Sequence, residues 1–204
     1  IIPGQGSSAT RGKSSADTKV TENLQCIYLA AKYKNVELKD VGKSFSGDLT
    51  INQCLTRIEK VASPSSWYYS SSSIAEAIYR KYGGTSKDWT FRKGDRWVKS
   101  IYKKFNQFNR EAKIFSQGDK WNPADIWMTK GAPEIPDSVT DILKLNVWIE
   151  SEYDKGNIIP ISLKQHIRDD SVKLKLKNDE GYTPDDYKFN GYSISKKDYN
   201  QSKF

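Results

Sequence analysis

Histidine occurs once in this 204-residue chain, as His166, and cysteine only twice, as Cys26 and Cys54. A single histidine excludes His-rich metal sites and leaves a Ser-His-Asp triad little to build on. Two cysteines supply neither a disulfide framework nor a zinc spacing, and a reduced, intracellular setting is the simpler reading. No apolar run approaches the roughly 20 residues of a membrane-spanning helix, so no membrane partner is expected. The opening IIPGQG has no charged n-region and no long apolar core, and it does not read as a signal peptide.

Aromatic residues, by contrast, are plentiful: 6 Trp, 12 Tyr and 7 Phe make 12% of the chain, which argues against a disordered polymer. Lysine and arginine number 33 against 25 acidic residues, a net charge of +8 that favours a polyanionic partner through its field. The length fits one domain, or one domain with tails. Residues 1–16 are rich in Gly, Ser and Ala without apolar period and read as a flexible arm, made basic by Arg11 and Lys13. Residues 17–204 read as a single domain.

Helical spacing dominates the first half. From Asp17 or Thr18, Leu24, Ile27, Tyr28 and Ala31 recur every three or four residues, which predicts an amphipathic helix. A second helix is expected from Ile51 to Val61, with Ile51, Cys54, Leu55 and Ile58 inward. Ser63-Pro64-Ser65-Ser66 breaks the pattern. Ser73 and Glu76 then stand at capping-box spacing before IAEAIYRKYG, which Gly83-Gly84 ends. Residues 95–114 read as a helix carrying Trp97, Ile101, Phe105 and Phe108, with Arg96, Lys99, Lys103, Lys104 and Arg110 on its other face. That face is either simply solvated or contacts phosphates.

Beyond Gly118 the texture changes. WNPADIWM combines a turn signal with a short apolar run, which predicts a buried strand over 124–129. A helix is expected over 138–154, with Val139, Ile142, Leu145, Ile149 and Tyr153 on one stripe. Strands are expected at 158–163, at 171–177, where Lys173, Lys175 and Lys177 form a basic outer row, and at 187–194. Helices followed by strands with one helix among them predict the α+β class. Trp127 should be buried with its strand and Trp121 should line a cleft, while Trp67, Tyr68 and Tyr69 offer either core packing or stacking surfaces.

Asp125 and Lys164 stand at or beside apolar strand segments, where a charge needs a partner. Glu22 lies on the first helix, about one turn before Cys26. Each has an ordinary alternative: Asp125 as a turn cap, Lys164 as a strand-end lysine, Glu22 as a solvated helix residue. Taken together they suit metal-assisted phosphodiester hydrolysis. Oxygen ligands without a Cys/His cluster favour Mg²⁺ or Mn²⁺, and one or two carboxylates suffice for Mg²⁺. A neighbouring lysine can orient the attacking water and offset developing charge. Ser162 reads as a small strand residue rather than a nucleophile, since no His-Asp pair accompanies it. Gln165 and His166 follow as neighbours.

The pairing of NPADIW with IIPISLK resembles the PD-(D/E)XK, or restriction-endonuclease-like, nuclease superfamily, which includes many phage nucleases. The resemblance covers these two short motifs and the first helix. It implies a small mixed β-sheet flanked by helices, Asp125 as the metal-binding aspartate, Lys164 as the motif lysine and Glu22 as the helix glutamate. Ser162 stands where the superfamily usually has an acid, as in divergent Ser-x-Lys members. The metal would then be held by Asp125, the main-chain carbonyl of Leu163 and Glu22. A helix also separates the two motif strands, where many members have a tight hairpin. The implied function is a divalent-metal-dependent DNA nuclease of phage or mobile-element origin, located in a host cytoplasm or a virion. Arg96, Lys99, Lys103, Lys173, Lys175 and Lys177 would hold phosphates, and a homodimer is one option. The alternative is a non-catalytic virion or nucleoprotein component that binds nucleic acid or an acidic protein.

Overall fold

The computed structural model describes residues 11–83, 88–115, 121 and 124–163. The chain divides into two units, Ile1–Val172 and Lys173–Phe204, and every described residue belongs to the first. The strands expected at 171–177 and 187–194 lie outside the described residues, as do Lys164, Gln165, His166, Lys173, Lys175 and Lys177.

The first helix, α1 (Arg11–Lys34), starts earlier than the apolar period suggests. No proline interrupts the segment before Asp17, and Gly12 costs a helix only about 1 kcal/mol. Its middle is buried nearly all round: Leu24, Ile27, Leu29 and Ala30 are inaccessible, and so is the polar Asn23. The amphipathic helix expected from sequence is therefore a central one, covered on more than one side.

A four-stranded sheet runs β1 (Phe45–Gly47), β2 (Trp89–Lys93), β3 (Ile126–Lys130), β4 (Ile158–Ile161) in spatial as in chain order. β1 and β2 are parallel, with Phe45 opposite Phe91. Parallel neighbours need a long crossover, here made by α2 (Ile51–Ile58) and α3 (Pro64–Tyr82). β2 and β3 are antiparallel, as are β3 and β4, with Ile126 opposite Ile161. Sequence periodicity located β3 and β4 but gave no signal for β1 and β2, which lie inside the stretch read as helical.

Local chemistry sets the helix ends. Thr50 and Gln53 form a reciprocal capping box on α2. α3 begins at Pro64, because a proline in the first helical turn sacrifices no hydrogen bond. The serine run 70–73 is therefore inside a helix rather than capping one. Ser70 and Ser71 are buried, and the Ser71 carbonyl accepts the Gln25 side-chain amide. Asp95 caps α4 (Arg96–Ala112) by accepting the Val98 N–H at 2.9 Å. Asp141 caps α5 (Ile142–Asp154) through Lys144 N–H, and this helix joins β3 to β4 as expected.

The sheet is covered on both faces. α1, α2 and α3 share one core with Trp89, Phe91, Ile126, Met128 and Ile159. α4 and α5 share the other with Trp127 and Ile158. β3 thus buries alternate side chains on opposite sides, each worth roughly 1.5–3 kcal/mol. Trp121 belongs to the second core. Its ring stacks on Phe105 with centroids 4.3 Å apart, and its Nε1 donates to Asn146 Oδ1. It is a packing residue, not the cleft wall expected from sequence.

Candidate functional site

β1, β2 and β4 end, and β3 begins, at the same edge of the sheet, as their registers require. That edge gathers Gly47-Asp48, Lys93-Gly94, Asp125 and Ser162-Leu163. α1 runs against β2 and presents Lys19, Glu22 and Asn23 within one turn of each other. Residues distant in sequence therefore contribute charge to one place.

Asp125 stands one residue before β3. Its backbone N–H donates to the Ile161 carbonyl at 2.9 Å, extending the ladder to β4. Its Oδ2 accepts the Leu163 N–H at 2.5 Å and the Ser162 hydroxyl at 3.1 Å. The carboxylate thus clamps the backbone of the segment immediately preceding Lys164. Ser162 acts here as a hydrogen-bond donor to that carboxylate. The turn-cap reading of Asp125 captures its backbone bonding, but the partner is a remote strand end.

Glu22 is not solvated. Its side chain is 13% exposed and forms an ion pair with Lys93, itself 22% exposed, at the end of β2. Burial pushes the Glu22 carboxyl above its usual range. Hydrogen bonding and charge from Lys93 oppose that rise, while the negative charges of Asp125 and Asp48 add to it.

Asp48 completes the cluster. It pairs with Lys19 Nζ at 2.9 Å and accepts Asn23 Nδ2 at 2.7 Å. Its backbone N–H donates to the Lys93 carbonyl at 2.8 Å. Two glycines permit this crowding. A Cβ on Gly47 would overlap Asn23 Oδ1 and the Phe45 ring, and Gly94, at φ +61°, brings the Asp48 carboxylate within 2.9 Å of where its Cβ would lie. On the other face Asp95 receives Arg92 Nη1 and Ser46 Oγ, which fixes β1, β2 and the start of α4 together.

Sequence reasoning singled out Glu22, Asp125, Ser162 and Leu163, and these share one sheet edge. It missed Lys19, Asn23, Asp48 and Lys93. The signal for the last two was present in Gly47-Asp48 and Lys93-Gly94, charged residues beside turn glycines. Arg96, Lys99, Lys103 and Arg110 are exposed along α4, which leaves the same edge one residue after Gly94-Asp95. Lys104 is half-buried.

Both cysteines are free and buried. Among the described residues no three His, Cys, Asp or Glu side chains are grouped to hold a metal ion, and no helix is long and apolar enough to cross a membrane. No protein-family model matches the chain, and neither a curated protein nor a solved structure is significantly similar to it.

Proposed function

We propose that the chain is a divalent-metal-dependent nuclease that hydrolyses DNA phosphodiester bonds, a restriction-endonuclease-like protein of phage or mobile-element origin. One observation carries this reading. Asp125 accepts the Ser162 hydroxyl and the Leu163 N–H across the sheet edge, so the two motifs that resemble the superfamily lie side by side. The α1 glutamate, Glu22, is held beside the same edge by its ion pair with Lys93, and it feels the negative charge of Asp125.

The donor set suits a hard cation. It offers carboxylate and carbonyl oxygens only, and Mg²⁺ takes few protein ligands and keeps its waters. Asp125, Glu22 and the Leu163 carbonyl would hold it. The chemistry such an ion supplies when bound is polarisation of the phosphate and acidification of a coordinated water. The chain's own residues do the rest. Lys164, next after Leu163, orients the attacking water and offsets charge on the phosphate. Arg96, Lys99, Lys103 and Arg110 form a row of about 21 Å along α4, at 1.5 Å per residue, that grips the backbone and makes binding fall with salt. Lys173, Lys175 and Lys177 extend the basic charge in sequence.

The test is nicking of supercoiled plasmid with Mg²⁺, with EDTA as control, by the protein and its Asp125→Ala, Lys164→Ala and Glu22→Gln variants. Cleavage by the parent alone supports the assignment. Equal cleavage by all, or by none, rejects it.

A second reading is favoured by Ser162, which stands where an acid would normally ligate. On that reading the chain is a non-catalytic nucleoprotein or virion component that binds nucleic acid without metal. Tight, salt-sensitive DNA binding unchanged by Mn²⁺, in a protein that cuts nothing, would select it.

A further inference from the structure

We propose that the outer face of α5 docks on the same face of a second copy of this chain, the two helices running antiparallel about a two-fold axis at Val147. No residue of the sheet-edge site takes part, so this pairing stands apart from the nuclease reading.

α5 has two unlike sides. Leu145, Trp148 and Ile149 are buried in the second core. Leu143, Lys144, Val147, Glu150, Ser151 and Asp154 all lie within about 60° of Val147 around the helix axis, at 3.6 residues per turn, and so face away from that core. Such an outward face is ordinarily polar. Here Leu143 is 72% and Val147 55% exposed, one helical turn apart. A shallow groove of about 380 Å³ is lined by Val147, Glu150, Ser151, Asp154 and Lys155. Covering the two apolar side chains removes their surface from water, which drives docking.

Charge selects the occupant. Lys144 and Glu150 stand three residues before and three residues after Val147. A two-fold axis at Val147 therefore brings Lys144 of each copy level with Glu150 of the other, twice per dimer, while the two Val147 side chains meet at the centre. At the roughly 8–10 Å separation of packed helix axes, both side chains are long enough to meet. A parallel arrangement would set lysine beside lysine and glutamate beside glutamate, so charge selects the antiparallel one. Within its own chain Lys144 is held by exposed groups, Thr140 Oγ1 at 2.8 Å and Asp141 at 3.5 Å, contacts worth little at a surface. Glu150 has no ion pair among the described residues. A seam one helix wide is small for a specific interface, so the dimer is expected to form only as concentration rises.

The experiment is sedimentation equilibrium of the full chain over a rising concentration series, with circular dichroism to check each fold. The parent should pass from monomer to dimer and no further, because a two-fold contact closes on itself. Val147→Asp sets two carboxylates against each other at the axis and should abolish the dimer. Lys144→Glu and Glu150→Lys should each weaken it at least about fivefold, since two pairs turn repulsive together. The double exchange, Lys144→Glu with Glu150→Lys, should restore the parental affinity. Should Val147→Asp unfold the chain, the charge exchange decides, because its two residues are exposed and touch no core. A parent that stays monomeric at every concentration would overturn the proposal. So would a dimer that survives Val147→Asp, a double exchange no better than its single members, or growth into open-ended assemblies.

Discussion

The carboxylate of Asp125 receives the backbone N–H of Leu163 at 2.5 Å, tying the start of one strand to the segment just after its neighbour. The same carboxylate takes the Ser162 hydroxyl. Two variants separate these roles. Asp125→Ala should abolish cleavage and cost about 1.5–3 kcal/mol, since hydrogen bonds to a charged acceptor are lost. Ser162→Ala keeps the Leu163 bond and should cost less than about 1 kcal/mol. Urea unfolding and plasmid nicking check both; equal destabilisation by the two would contradict the clamp.

Gly47 lets β1 approach α1 beside Asn23, one residue from Glu22. Gly47→Ala should force the Asn23 amide or the Phe45 ring aside and destabilise the fold by about 1–3 kcal/mol, the usual cost of overpacking. Gly131 has open space around it, so Gly131→Ala is limited to the strain of its positive φ. Paired thermal unfolding curves should show the larger loss of Tm in the first variant together with lowered cleavage.

Trp121 and Phe105 stack in the core beneath α4. Trp121→Ala should cost about 3–5 kcal/mol, as for other buried large-to-small changes. At a temperature where the variant stays folded, its affinity for a DNA duplex should be unchanged. A large loss of DNA affinity with native stability would restore Trp121 to a binding surface.

Glu152 is buried at the end of α5 and accepts Lys155 Nζ and Asn157 Nδ2, each at 2.8 Å, which turns the chain into β4. The Lys155 and Asn157 hydrogen bonds hold its carboxyl below the usual glutamate range. A depressed folded-state value means stability that is present above the unfolded-state pKa and lost as pH falls through the folded one. Glu152→Gln should therefore cost about 1 kcal/mol near neutrality, Lys155 being largely solvated. Its deficit against the parent should shrink below about pH 4. A deficit that is constant from pH 7 to pH 3 in denaturant titrations would refute the charge-based account.

Much of the fold was legible in the chain. The α+β class, the inward stripe of α5, the basic face of α4 and the buried strand around Trp127 all follow from local periodicity and turn chemistry, which act within a few residues. Pro64 misled the reading, since proline stops a helix in its interior but starts one at its first turn. β1 escaped it because three residues hold less than two full periods of alternation.

What only the tertiary structure decided was who meets whom. The pairing of Glu22 with Lys93, of Asp48 with Lys19 and of Asp125 with Leu163 depends on strand register and on α1 lying against β2. Those are set by burying two apolar faces of one sheet at once, a condition spread over the whole domain that no short window of sequence contains.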